Sequence, residues 1–158
     1  MKQIMLFLLV PLLITCAVSR SEPAAPGKAA MTNGAGKKAK VTLDIFSGRE
    51  NPSWQLSEEQ INKLLSTLDA LPTSERVRFF DGLGYRGFLV SLTEVASSKE
   101  AGSIKAYKGA VLYSAGGVEK FFTDKERRVE NLLLESGGSQ LGADIRDMVK
   151  REIEPPKP

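Results

Sequence analysis

The chain has 158 residues, one cysteine, no histidine and a formal net charge of +3. The lack of histidine and the presence of only one cysteine exclude the Ser-His-Asp triad, the Cys-His dyad and the usual zinc and haem ligand sets. No cofactor and no metal site are therefore expected, and carboxylate chemistry is the main catalytic alternative that stays open.

Residues 1–19 have the form of a cleavable signal peptide. Lys2 precedes an apolar run at residues 4–14, which is too short to cross a bilayer. Ala17 and Ser19 then provide an A-x-S cleavage site. We therefore expect a secreted, extracellular protein without a transmembrane segment. Cys16 leaves an alternative open, in which it is the lipidated residue of a lipoprotein anchor.

Residues 20–40 follow as a disordered basic linker, because they are rich in Ala, Gly, Pro and Lys and poor in large apolar side chains. The Lys37-Lys38 pair also allows a removed propeptide. The linker carries five basic residues and one acidic residue, whereas residues 41–158 carry sixteen basic and eighteen acidic residues. This distribution disfavours a nucleic-acid partner and favours an anionic polysaccharide or matrix bound through the basic tail.

A single folded domain is expected from Val41 to the end of the chain. Residues 41–45 alternate apolar and polar side chains, which predicts a half-buried strand that ends in a turn at residues 47–52. Residues 57–60 form a capping box, and apolar residues three and four apart predict a helix from there to Pro72. Residues 73–84 carry conflicting signals, because apolar side chains stand among Arg and Asp residues, and they are interpreted as a loop.

The second half of the domain adds strands before helices. Residues 85–92 and 104–113 have the β-branched and aromatic content of strands, with Lys108-Gly109 marking a hairpin or a bulge. A second capping box at residues 123–126 predicts a helix, and a third helix is expected at residues 141–153. This order predicts an α+β fold, a small antiparallel sheet of three or four strands packed against about three helices.

Two sets of residues carry chemistry used in catalysis or phosphate binding. Residues 82–87 read G-x-G-x-x-G, but that motif should open a helix and here it precedes a strand. Asp44, Glu50 and Asp81 could supply the acid and the ionised carboxylate of a glycosidase if the fold brought them together. The alternative is that they are solvated acids of turns and strand faces.

Residues 47–54 and 83–87 are the most distinctive segments, because each combines glycine with arginine and an aromatic residue. Trp54 could offer a flat surface to a sugar ring or a cation, and Arg49 and Arg86 could clamp a carboxylate or sulfate. The candidate ligand-binding residues are Arg49, Asn51, Trp54, Tyr85 and Arg86.

A structural interpretation of the same segments stays open beside this one. In it, Trp54 fills the core beneath the turn. Arg86 pairs with Asp44 or Glu50 across neighbouring strands, and the glycines set turn angles.

The two segments together resemble a motif pair of small proteins without an assigned activity. The pair is an SGR-x-NP-x-W turn, here residues 47–54, followed by LGYRG, here residues 83–87. The resemblance implies no activity, ligand, cofactor or catalytic residue.

These expectations favour a secreted, non-catalytic extracellular protein, a matrix or ligand-binding module whose ligand the sequence does not identify. One alternative is a small secreted carbohydrate-active enzyme that depends on carboxylates. Another is a secreted effector or inhibitor that presents the Arg49 turn to a protein partner.

Overall fold

The structure, a computed structural model, describes residues 37–93 and 102–154. The predicted signal peptide, Cys16 and most of the predicted linker lie outside the described residues. The strands are β1 (Lys38–Asp44), β2 (Ser53–Gln55), β3 (Gly87–Thr93), β4 (Gly102–Tyr107), β5 (Ala110–Ala115) and β6 (Val118–Thr123), and the helices are α1 (Glu58–Asp69), α2 (Arg128–Ser136) and α3 (Ala143–Ile153). A short 3-10 helix, Gly138–Gln140, lies between α2 and α3.

The strands form one antiparallel sheet in the order β2-β1-β3-β4-β5-β6. The α+β class is therefore confirmed. The predicted number of three or four strands is wrong, because the sheet has six.

Tight turns account for the additional strands. Lys108 (φ 44°) and Gly109 (φ 80°) reverse the chain between β4 and β5, so the hairpin, one of the two alternatives predicted at these residues, is the one that forms. Gly116 and Gly117, also at positive φ, reverse it again into β6. β2 follows the first turn directly and pairs with β1 over three residues.

One face of the sheet packs against the helices. Val41, Val90 and Ile104 are register partners on β1, β3 and β4, and all three are buried there. The helices contribute buried apolar side chains to the same core, namely Ile61, Leu64, Leu68, Val129, Leu133, Leu134, Val149 and Ile153. Because all three helices pack on this face, the opposite face is called here the helix-free face.

α1 confirms the first capping box. Ser57 Oγ accepts a hydrogen bond from Gln60 N at 3.2 Å, and Gln60 Oε1 accepts one from Ser57 N at 2.9 Å. The apolar stripe predicted for this helix is buried at Ile61, Leu64 and Leu68. Local sequence signals therefore define this element well.

The second predicted capping box is wrong, because α2 begins at Arg128 and not directly after Thr123. Arg127, at φ 58°, breaks the helical path before it. Asp124 caps the helix from farther away, with its carboxylate accepting from Val129 N at 2.8 Å. Among residues 37–93 and 102–154, none of the helices has the length and apolar character that crossing a bilayer requires.

β1 begins at Lys38 and so takes in residues that the sequence assigned to the linker. Ala39 is fully buried, while Lys38 and Lys40 are exposed on the helix-free face. Part of the positive charge predicted for the tail therefore belongs to the folded sheet.

Residues 74–86, called here the crossing segment, run from the outer edge of β6 back to β1 and β3. Ser74 N donates to a β6 carbonyl at 2.8 Å, and Arg86 N donates to a β1 carbonyl at 2.8 Å. Between these ends Phe79 packs beneath the Lys105 ammonium. Since Lys105 points away from the core, the crossing segment covers part of the helix-free face.

Candidate ligand-binding surface

A partly buried polar network fixes the turn between β1 and β2. Asn51 Oδ1 accepts hydrogen bonds from Ile45 N at 3.0 Å and Phe46 N at 2.8 Å, so the side chain replaces backbone partners inside the turn. Asn51 Nδ2 also donates to Asp44 Oδ1 at 3.1 Å. The Asn51 amide is therefore used by the protein itself.

Arg86 joins this turn to the crossing segment. Its Nη2 donates to Asp44 Oδ1 at 2.5 Å and to Phe46 O at 2.8 Å, and its Nη1 donates to Gly82 O at 3.3 Å. The hydrogen bond to Asp44 raises the pKa of Arg86, which keeps the guanidinium charged. The pairing of Arg86 with Asp44 is the one that the structural interpretation of the sequence described, and it holds the two loops side by side.

A second network is buried beneath the turn between β4 and β5. Glu130 is 1% exposed, and its Oε1 accepts from Tyr85 Oη at 2.6 Å. Its two carboxylate oxygens also accept from the backbone amides of Lys108 and Gly109, both at 2.9 Å. Burial and the charge of Glu130 raise the pKa of Tyr85 well above its usual value, so the phenol remains a donor.

Trp54 lies in the core. It is 3% exposed, its Nε1 donates to Ser136 Oγ at 2.9 Å, and its ring meets the Phe88 ring edge-on with centroids 6.4 Å apart. The indole therefore closes the core between β2 and the end of α2. In this conformation its ring faces are not available to a ligand.

Among the residues that the structure describes, three cations lie over aromatic rings. The pairs are Phe46–Arg49 at 3.5 Å, Phe79–Lys105 at 5.0 Å and Tyr107–Lys108 at 5.7 Å. Each distance runs from the ring centroid to the guanidinium carbon of arginine or the ammonium nitrogen of lysine. These distances fall within the roughly 6 Å range of cation–π contacts. Each pair places a positive charge beside an aromatic ring, and the Lys108 ammonium also forms an ion pair with Glu152 Oε2 of α3 at 3.1 Å.

Two of the pairs lie on β4 and the turn after it, and Arg86 joins the turn of the third pair to the crossing segment through its hydrogen bonds to Phe46 O and Gly82 O. Lys105 and Tyr107 point to the same side of β4, and Phe80 stacks on Tyr107 with ring centroids 6.2 Å apart and ring planes 13° apart. Phe80 is 49% exposed and Leu83 is 82% exposed. We call these residues together the cation–aromatic surface, and its members are Phe46, Arg49, Phe79, Phe80, Leu83, Lys105, Tyr107 and Lys108.

Of the five residues predicted to bind a ligand, Arg49 belongs to the cation–aromatic surface. Asn51, Tyr85 and Arg86 lie beneath it and hold its loops in place, and Trp54 lies in the core. The structure thus brings four of the five to one end of the sheet. Their ligand-binding role stays a prediction.

Most of the cation–aromatic surface was outside the predicted site. Phe79 and Phe80 are two adjacent aromatic residues between Arg78 and Asp81, in a segment that was interpreted only as a loop. Large apolar side chains in such a loop signal either packing or binding. The two adjacent aromatic residues are visible in the sequence. Their contact with β4, however, depends on the path that the crossing segment takes over the sheet.

The three candidate catalytic carboxylates occupy different environments. Asp44 is partly buried and accepts hydrogen bonds from Asn51 and Arg86, whereas Glu50 and Asp81 are exposed. Within the described residues, no three side chains of His, Cys, Asp or Glu are grouped so as to hold a metal ion.

No protein-family model, no curated protein and no solved structure matches the chain. The residues of the chain are therefore the basis for its function. Two polar networks hold three loops at one end of a sheet, and those loops display cations beside aromatic rings.

Proposed function

We propose that this chain is a secreted, non-catalytic binding module and that its cation–aromatic surface binds an anionic polysaccharide. The observation that carries the proposal is the set of three cation–aromatic pairs on one end of the sheet. Secretion rests on the predicted signal peptide. The proposal extends the expectation of an anionic partner from the basic tail to the folded domain.

The chemistry of an acidic sugar polymer complements these pairs. Each sugar ring presents an apolar face that packs on an aromatic side chain, and each carboxylate or sulfate accepts hydrogen bonds from a cation. The Arg49 guanidinium can donate two parallel hydrogen bonds to such a group, which an ammonium cannot do. A repeating polymer therefore matches a surface that repeats the same pair of features.

The networks beneath the surface favour binding by reducing its entropic cost. Arg86 fixes the backbone of the Arg49 turn and of the Leu83 loop, and Glu130 fixes the Lys108 turn. Loops that are already held need little further ordering when a ligand arrives. This arrangement is typical of recognition surfaces built on a rigid scaffold.

The proposal is tested by measuring the affinity of the purified chain for polygalacturonate and for neutral dextran. Arg49→Ala and Phe80→Ala are each expected to weaken polygalacturonate binding at least about tenfold, because they remove an exposed cation and an exposed ring. Lys63→Ala, which removes an exposed charge from α1 on the other side of the sheet, is the matched control.

Two results would contradict the proposal. One is equal affinity for dextran and polygalacturonate, which would show that negative charge is not recognised. The other is unchanged binding in Arg49→Ala and Phe80→Ala variants that remain folded by circular dichroism. Binding to anionic lipid vesicles through Leu83 in place of the polymer would assign the same surface to a membrane.

A further inference from the structure

A separate groove opens on the helix side of the sheet, away from the cation–aromatic surface. It lies between the second half of α1 and the outer strands β5 and β6, and its volume is about 260 Å³. The groove is lined by Leu65, Leu68, Asp69, Tyr113, Lys120 and Phe122. Its size is just below the roughly 300–1,000 Å³ of drug-sized pockets, so it suits a small ligand.

The lining combines apolar walls with two opposite charges. Leu68 is buried, and Leu65, Tyr113 and Phe122 are partly buried and pack against the core. Lys120 is the register partner of Tyr113 on β5, so its ammonium and the phenol come from neighbouring positions of the sheet. An anionic group placed here would meet both a cation and a hydroxyl.

The opposite rim favours a cation. Asp69 is the last residue of α1, and the last turn of that helix carries no basic side chain. The C-terminal end of a helix carries a partial negative charge, which adds to that of the Asp69 carboxylate. A ligand ammonium at this rim would therefore be stabilised by both.

We propose that this groove binds a free apolar α-amino acid. The ligand ammonium lies at Asp69, its carboxylate lies at Lys120 and Tyr113, and its apolar side chain packs against Leu65 and Phe122. A zwitterion with an apolar side chain complements both charges and the walls at once, whereas a simple carboxylate leaves Asp69 facing a like charge. This site is independent of the polysaccharide proposed for the other face.

Calorimetric titration of the purified full chain with leucine tests the proposal. The two comparison ligands are 4-methylpentanoate, which lacks the ammonium, and 3-methylbutylamine, which lacks the carboxylate. Each is expected to bind at least about tenfold more weakly than leucine, because one charged rim group of the site loses its partner. Equal binding of leucine and 4-methylpentanoate would overturn the proposal, as would the absence of leucine binding at millimolar concentration.

Variants place the binding in the groove. Lys120→Gln and Asp69→Asn are each expected to weaken leucine binding at least about tenfold. Lys125→Gln and Asp147→Asn are the controls, since they remove exposed charges that do not line the groove. Leu65→Trp fills the groove while leaving both charges in place and is expected to abolish binding. Unchanged affinity in these three groove variants would place leucine elsewhere and overturn the assignment.

Discussion

Glu130 is a buried carboxylate that the fold tolerates because donors surround it. Tyr85 Oη and the amides of Lys108 and Gly109 all donate to it, and Arg127 Nη1 lies 3.8 Å away. A buried charge without such partners would cost several kcal/mol. The same bonds hold the turn that displays Lys108, so a side chain in the core sets the position of a cation at the surface.

Replacing Tyr85 by Phe is expected to change how stability depends on pH. The pKa of Tyr85 is raised in the folded protein, while in the unfolded chain the phenol ionises near pH 10. Above that pH the unfolded state binds fewer protons, so the free energy of unfolding falls by up to ~1.4 kcal/mol per pH unit. The Tyr85 contribution is fully present below that pH.

Urea unfolding between pH 8 and pH 11 measures this effect. In Tyr85→Phe the free energy of unfolding is expected to decline less steeply at alkaline pH, by about one ionisation. At neutral pH the variant is expected to lose about 1 kcal/mol of stability because the hydrogen bond is missing. Tyr113→Phe, which alters a phenol at the surface groove, serves as the control and keeps the decline. An unchanged decline in Tyr85→Phe would contradict the prediction.

Glu130→Gln tests the network itself. The glutamine amide has the same shape, but its NH₂ group faces a backbone donor where the carboxylate accepted a hydrogen bond. We expect the free energy of unfolding to fall by about 2–3 kcal/mol. Glu126→Gln alters an exposed side chain nearby and is the control; it should change the free energy of unfolding by no more than about 0.5 kcal/mol. A similar loss in both variants would argue against the network.

Single residues differ in how far the sequence predicts their role. The pairing of Arg86 with Asp44 was foreseen as one interpretation, because both stand at the ends of predicted strands. The contact of Tyr85 with Glu130 was not, since the two are 45 positions apart and Glu130 reads as an ordinary polar helix residue. Burial of a charge depends on neighbours that only the fold supplies.

At the scale of elements, the chain was most predictable where the signals are local. α1 has both its capping box and its apolar stripe within one short stretch, and the structure confirms them. The sequence does not predict β2 or β6. β2 has only three residues and follows a turn, and β6, with the sequence VEKFFT, alternates only weakly between polar and apolar side chains. Such strands are stabilised by pairing with a neighbouring strand, β1 for β2 and β5 for β6, and by packing against it.

The β3–β4 pair depends on a glycine. Gly87 has φ 103°, and a Cβ at this position would collide with the Ala106 carbonyl oxygen on β4. Gly87→Ala is therefore expected to lower the free energy of unfolding by about 2 kcal/mol or more, through backbone strain and a displaced strand. Thermal unfolding measures the loss. Gly48→Ala is the control, because a Cβ there meets nothing within 4 Å.

At the scale of the whole molecule, the sheet separates two surfaces of different character. The helix-free face carries the crossing segment and Lys105, with Arg49 and Lys108 in turns at one end of the sheet, while the helix side carries the groove beside α1. β1 also brings Lys38 and Lys40 onto the helix-free face, the same face as Lys105. The basic character that the sequence assigned to a tail is therefore shared by tail and fold.

This division of charge gives the last prediction. Deleting residues 20–36 removes two basic residues and one acidic residue, whereas Lys38→Gln with Lys40→Gln removes two charges from the face that carries Lys105. At low salt we expect the double variant to bind polygalacturonate several-fold more weakly and the deletion to bind almost as the full chain does. Salt at 1 M shortens the screening length to about 3 Å, so the variants should then converge. A larger loss of affinity from the deletion than from the double variant would contradict this prediction. It would mean that the tail attracts the anionic partner and that the folded face contributes little.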